Sequence, residues 1–190
     1  MKSIIISVRP EWAQKILSGE KTLELRKSVP KDFVGWVYMY VTKAKPTLHR
    51  LMVENGKEWY LGSCLPFGWV VNRDSNFNGK VVARWWFDEY TKLRPDWFIG
   101  LDDGYIWDGK GKENNLCLSF LEISDYLKPK HIGYAWHIKR LEIIDKPMEL
   151  GEFYKGDMKK YIDVNGVNQF NYYFKVTRAP QSWRYVWVKE

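Results

Sequence analysis

The sequence predicts an α+β domain that is mainly β. Three observations carry this expectation. Short runs rich in Val, Ile, Trp and Tyr recur along the chain, most of them bounded by Gly, Pro or Asn. One clear helical period follows the first of these runs. A chain of 190 residues, 45% hydrophobic and 28% charged, can bury a core and has the composition of an ordinary globular domain. That length suits one domain, residues 1–190, carrying insertions between its strands.

The elements follow in order. Ser3 to Val8 is a β-branched run that reads as a strand buried on both faces. Pro10 then opens a helix, with Glu11 placed well for the helix dipole. Trp12, Ala13, Ile16 and Leu17 recur at helical spacing, and Gly19 stops the helix with a left-handed cap. From Thr22 to Arg26 the chain alternates, placing Leu23 and Leu25 on one face and Thr22, Glu24 and Arg26 on the other. Trp36 to Thr42 is a further strand. A short helix is expected at Thr47 to Glu54. Lys80 to Phe87 follows the turn at Asn78-Gly79, Tyr134 to Ile144 follows Gly133 and stops before Pro147, and Ser182 to Val188 is the closing strand. A second helix is expected near Leu118 to Leu127. Insertions are expected at about 46–77, 91–131 and 148–178, the second containing an acidic, Gly-rich loop with Asp102, Asp103 and Asp108.

Several classes are excluded. The longest apolar runs are a few residues, against roughly 18 for a membrane helix. Ile4-Ile5-Ile6 meets Arg9 and Pro10 almost at once, so the start reads as a strand and not as a signal peptide. Cys64 and Cys117 are too few for a disulfide framework or a four-thiolate zinc site, and the three His add no ligand spacing. No metal is therefore expected. No Gly-rich phosphate loop, nucleophile elbow or dinucleotide fingerprint occurs, so no cofactor is expected. The expectation is a soluble, cytoplasmic protein.

Charge and aromatics point toward a partner. The formal net charge is +7, and it is uneven: residues 1–95 hold 16 basic and 9 acidic residues, while residues 96–190 hold 14 of each. A basic half beside a neutral half gives an electropositive face suited to a polyanion. It is equally the surface of a moderately basic soluble protein. Eleven Trp, 12 Tyr and 9 Phe exceed what most cores need, leaving a few rings to floor a pocket.

Gly19 to Arg26 holds the densest cluster of chemistry. Lys21, Thr22, Glu24 and Arg26 bring two cations, a carboxylate and a hydroxyl into one patch. Such a patch can offer donors to a phosphate or carbonyl, and its carboxylate can accept from a base amino group. The same spacing suits a solvated strand face with a surface ion pair worth about 0–1 kcal/mol.

The run from Ile4 to Arg26 resembles the start of ASCH-type domains, members of the PUA-like group. It shares their strand, their Pro-initiated helix and a G-x-K-x-x-E-x-R motif at Gly19, Lys21, Glu24 and Arg26. Gly79 to Phe87, Gly133 to Ile138, Lys146-Pro147 and Ala179 to Trp183 resemble the larger phage and bacterial versions. The resemblance covers about half of the chain and leaves the insertions unaligned. It implies a small PUA-like β-barrel with a cleft beside the motif, and a ligand that is RNA or a modified nucleotide. Some relatives are amidohydrolases of N4-acylated cytidine, and others have been proposed as ribonucleases. In the amidohydrolases a Lys matching Lys21 is the base and a Thr supplies the nucleophilic hydroxyl. This chain has Glu24 at that Thr position, so that mechanism does not transfer as it stands.

Other candidates flank the motif. Arg9 stands where strand meets helix, a place that favours anions. His137 suits either a structural or a catalytic role. Gln181, Ser182 and Trp183 offer an amide, a hydroxyl and a ring. Trp136 or Trp183 would stack a base, and at most one of Trp85 and Trp86 can line a cleft, since neighbours on a strand face opposite ways. The first function expected is a nucleic-acid or nucleotide-binding module. The alternatives are a hydrolase in the same cleft, with Lys21 as base and Glu24 as its partner or as activator of water, and a phage-borne protein-interaction module. Fold resemblance alone does not choose among them.

Overall fold

The computed structural model describes residues 1–53, 56–62, 76–93, 116–155, 160–162, 168–170 and 174–189. β1 (Lys2–Val8) runs into α1 (Pro10–Leu17), followed by β2 (Leu23–Arg26) and β3 (Gly35–Val41). The hairpin β4 (Leu48–Val53) and β5 (Gly56–Leu61) precedes β6 (Val81–Phe87) and β7 (Tyr90–Leu93). Then come α2 (Phe120–Leu127), β8 (Gly133–His137) and β9 (Lys139–Met148). A short 3-10 turn at Leu150–Glu152 leads to β10 (Phe153–Lys155), β11 (Lys160–Ile162), β12 (Asn168–Phe170), β13 (Phe174–Lys175) and β14 (Trp183–Val188).

The architecture is mainly β, with two α-helices among the described residues. The large sheet has strand order β13-β10-β14-β1-β3-β6-β9. β1 and β3 run parallel, and the other pairs with recorded register are antiparallel. A second sheet has order β2-β8-β7. Among the described residues the large sheet does not close on itself, so mixed open sheets stand where the resemblance implied a barrel.

Each helix has a local reason to form. In α1, Pro10, Ala13, Ile16 and Leu17 are buried, Pro10 takes the first turn and Glu11 lies near the positive end. Gly19, at φ +82°, supplies the left-handed residue that ends it. In α2, Ser119 accepts from the Glu122 amide and Glu122 accepts from the Ser119 amide, a reciprocal cap. Leu127 of α2 packs so tightly on β8 that a Cβ on Gly133 would meet it at 2.7 Å.

Three apolar clusters hold these layers together. The largest joins β1, α1, β3 and β6 through residues such as Ile6, Ile16, Met39 and Trp85. A second, around Tyr38, Phe153 and Val186, covers the other face of the large sheet. The third packs α2 on the small sheet through Leu25, Leu93, Leu116, Ile123, Leu127 and Ala135. Burying each large aliphatic side chain contributes about 1.5–3 kcal/mol, so this third cluster is what fixes α2 beside the motif strand.

Two expected elements differ. The helix expected at Thr47 to Glu54 is strand β4, paired in register with β5 from Leu48↔Leu61 to Val53↔Gly56. Leu48 and Leu51 are three apart and both buried, a spacing that imitates a helix. The strand expected over Tyr134 to Ile144 is two strands in different sheets. It breaks at Ile138, whose amide donates to the Thr22 carbonyl at 2.9 Å. β9 also continues through Pro147, which an edge strand tolerates. Cys64 and the acidic loop of Asp102, Asp103 and Asp108 lie outside the described residues. No helix among the described residues is long and apolar enough to cross a membrane.

Candidate functional site

A cavity of about 850 Å³ opens beside the motif strand. Its floor holds Lys21, Glu24 and Arg26, which are 2%, 6% and 7% exposed. The motif is therefore not a solvated strand face. Glu24 Oε1 accepts from Arg26 Nη2 at 2.8 Å, and Glu24 Oε2 lies 3.6 Å from Lys21 Nζ. Alternation along β2 turns Leu25 toward α2 and leaves Glu24 and Arg26 together on the cavity side.

The two cations of the floor are also tied to other parts of the fold. Arg26 Nη2 donates to the Ser7 carbonyl at 2.6 Å, joining the small sheet to β1. Ser7 in turn anchors the segment before β14: its hydroxyl donates to the Pro180 carbonyl at 2.6 Å and its amide to the Ser182 carbonyl at 2.9 Å. Lys21 Nζ donates to the Leu116 carbonyl at 2.6 Å and lies 5.6 Å from the centre of the Trp12 ring. Burial pushes the Lys21 ammonium below its ordinary value, against the opposing pull of Glu24. Tyr40 also lines the cavity, and burial, aided by Glu149, pushes its phenol up.

The walls come from distant segments. α2 contributes Glu122, Asp125 and Tyr126, while the ends of β1 and β3 contribute Arg9, Thr42 and Lys43. The backbone and hydroxyl of Ser119 hold the Glu122 carboxyl below the usual range. Among the described residues no group of three or more His, Cys, Asp or Glu could hold a metal ion.

Five of the ten residues singled out from sequence line this cavity: Arg9, Lys21, Glu24, Arg26 and Gln181. The other five do not. Thr22 is exposed and precedes β2, so it does not share the Glu24 and Arg26 face. Trp136 has no exposed surface and packs between Phe87, at 4.9 Å between ring centres, and Trp183, at 5.6 Å. Its indole N–H donates to the Ser28 carbonyl, and the Trp183 indole donates to the Ser28 hydroxyl. Neither ring lines the cavity to stack a base there. His137 Nε2 hydrogen-bonds the Thr91 hydroxyl at 2.9 Å, and Ser182 serves through its carbonyl. Trp85 is wholly buried and Trp86 packs against Trp36, so neither contributes a cavity wall.

Sequence reasoning missed Trp12, Thr42, Lys43 and the α2 wall. Thr42 and Lys43 follow a strand parallel to β1, where ligand sites gather at carboxyl ends, but that pairing comes from the fold and not from the local sequence. Nothing local marked Glu122 or Asp125.

By structure the chain is similar to the crystal structure of ASCH from Zymomonas mobilis, with TM-score 0.52 and 17% identity, covering 99% of this chain and 88% of that one. This is the ASCH-domain fold. Crystal structures of a Tyr-to-Phe and a Ser-to-Ala variant of the same bacterial ASCH protein agree, each with TM-score 0.51 and 17% identity. They cover 100% and 99% of this chain and 92% and 89% of theirs. The chain matches no protein-family model and no curated protein.

Proposed function

We propose that this ASCH-fold protein binds a nucleotide, free or within RNA, in the cavity floored by Lys21, Glu24 and Arg26. The buried charge cluster carries this reading. Three charged side chains held in a low-dielectric floor are a poor investment for stability, since well-packed apolar residues would often serve as well or better. As a recognition surface they are well suited: Glu24 can accept from an exocyclic amine, and the two cations can donate to carbonyl or phosphate oxygens. The cavity volume lies within the range of small-ligand sites, and Trp12 and Tyr126 add aromatic lining. The basic first half of the chain supports contact with an RNA backbone.

The test is titration of ribonucleosides, nucleotides and short RNAs, with mass-spectrometric analysis of products. Binding without turnover supports the reading. RNA affinity should fall steeply with salt as counterions are released, and affinity that stays flat would favour a neutral ligand or a protein partner.

Hydrolysis in the same cavity is a second reading, favoured by the lowered pKa of Lys21. A neutral amine in the cavity can take a proton from an attacking water, with Glu24 orienting it. Because Glu24 replaces the nucleophilic Thr of the amidohydrolase relatives, little acetate should be released from N4-acetylcytidine. Turnover of roughly 1 per second or faster, abolished by Lys21→Ala, would replace the binding reading with the hydrolytic one.

A further inference from the structure

Building on the nucleotide reading above, we infer that the cavity contains a phosphate subsite formed by Arg9, Thr42 and Lys43 where the parallel strands end. β1 and β3 finish in register, with Val8 opposite Val41. The residues that follow therefore emerge side by side, and the Thr42 amide donates to the Val8 carbonyl at 2.9 Å. All three residues line the cavity.

The groups at this end have donors to spare. The Arg9 side chain is 71% exposed and makes a loose 3.8 Å approach to Glu11, too long for a hydrogen bond. Lys43 is exposed, and its stem is positioned against Gly79, where a Cβ would meet Lys43 Cε at 3.0 Å. The Thr42 hydroxyl oxygen is buried and has no hydrogen-bond partner among the described residues. An unsatisfied buried hydroxyl is unfavourable, and an incoming acceptor would remove that cost. Deeper in the same cavity the Arg26 Nε is also buried without a partner, on a side chain 9% exposed.

The charges of the cavity walls set a direction. α2 contributes the carboxylates of Glu122 and of Asp125, the latter paired with Lys128 at 2.6 Å. Among the described residues this wall offers a phosphate no free cation of its own, and Glu122 repels it. The strand ends contribute Arg9 and Lys43, which attract one. The floor cations are already paired with Glu24, whereas Arg9 and Lys43 are exposed, so a nucleotide in this cavity is oriented with its phosphate at the strand ends and its base toward the floor. The occupant is a terminal phosphate of a mononucleotide or a bridging phosphate of RNA, two sources of the same chemistry.

Calorimetric titration of the four ribonucleosides, their 5′-monophosphates and a short RNA with a 5′-hydroxyl tests this assignment. At least one monophosphate should bind about tenfold or more tightly than its own nucleoside, the scale of a charge-assisted hydrogen bond. The Arg9→Ala/Lys43→Ala double variant should abolish that advantage while leaving nucleoside affinity in place, and Thr42→Val should reduce it. Arg9 and Lys43 are exposed, and all three positions lie outside the buried ion cluster, so the variants should fold. A 5′-hydroxyl RNA that equals the monophosphate assigns the subsite to a bridging phosphate, and one that binds no better than a nucleoside assigns it to a terminal phosphate. Equal affinity for nucleoside and monophosphate, or a preference that survives in the double variant, overturns the phosphate subsite while the nucleotide reading stands. Failure of every nucleoside, nucleotide and RNA to bind overturns both.

Discussion

Two arginine–glutamate pairs in this molecule share a contact distance and differ in surroundings. Arg26 meets Glu24 at 2.8 Å with side chains 9% and 8% exposed. Arg84 meets Glu142 at 2.7 Å with side chains 33% and 48% exposed. The exposed pair bridges neighbouring strands β6 and β9, and its guanidinium lies over the Trp36 ring at 4.2 Å, so it needs no purpose beyond the sheet surface. The buried pair gives up hydration on both sides and gains a third charge, Lys21, in the same low-dielectric floor. Distance alone would call the two equivalent. Burial makes one a modest surface contact and the other a preorganised charge cluster whose members depend on one another.

Breaking each pair should expose that difference. Arg26→Ala leaves Glu24 buried beside Lys21 with its closest partner gone, and should cost about 3–5 kcal/mol of stability by chemical denaturation. A loss below about 1 kcal/mol would mean that water reaches the floor and the comparison fails.

The next effect lies in pH. Burial lowers the folded-state pKa of Lys21 from its ordinary 10.5. Below that lowered value the amine is charged in both states and the burial penalty is paid in full. Between it and 10.5 the unfolded chain holds more protons, so this residue's contribution to stability rises with pH. Wild type minus Lys21→Met should therefore gain stability as pH climbs through that window. A difference independent of pH would contradict a buried, unfavourable ammonium.

Smaller losses are expected at the edges of the site. Ser119→Ala removes the cap of α2 and should cost about 1 kcal/mol, while loosening the wall that presents Glu122. Arg84→Ala should cost about 1 kcal/mol or less, with contributions from an exposed pair and a cation–ring contact. A cost for Arg84→Ala that equals that of Arg26→Ala would erase the distinction between the two pairs.

Local pattern made much of the scaffold legible. The strand–helix–strand opening, β6 and β14 follow from β-branched runs, a helical period and turn residues, all within a few residues of one another. β4 was not legible, because Leu48 and Leu51 carry helical spacing while the pairing with β5 that decides their state comes from another segment. The break at Ile138 likewise depends on the distant Thr22 carbonyl. At the site, Lys21, Glu24 and Arg26 could be grouped from spacing, but their burial could not. That burial arises when residues 116–127 fold over the strand, with the Leu116 carbonyl closing on Lys21. Trp136 misled for the same reason. A ring opposite Glu24 in the β2–β8 register looks available from sequence, yet Phe87 and Trp183 enclose it.

The central claim is that Glu24 recognises a ligand group inside the cavity, and Glu24→Gln tests it most directly. This change keeps the shape and removes the charge between Lys21 and Arg26. Wild type and variant are titrated, well below the melting temperature of the variant, with RNAs that differ at a single base. The account predicts that Glu24→Gln loses about 1–3 kcal/mol of discrimination at one base position, while affinity for unrelated sequences holds or rises. Equal losses on every RNA, or no change on any, would contradict it.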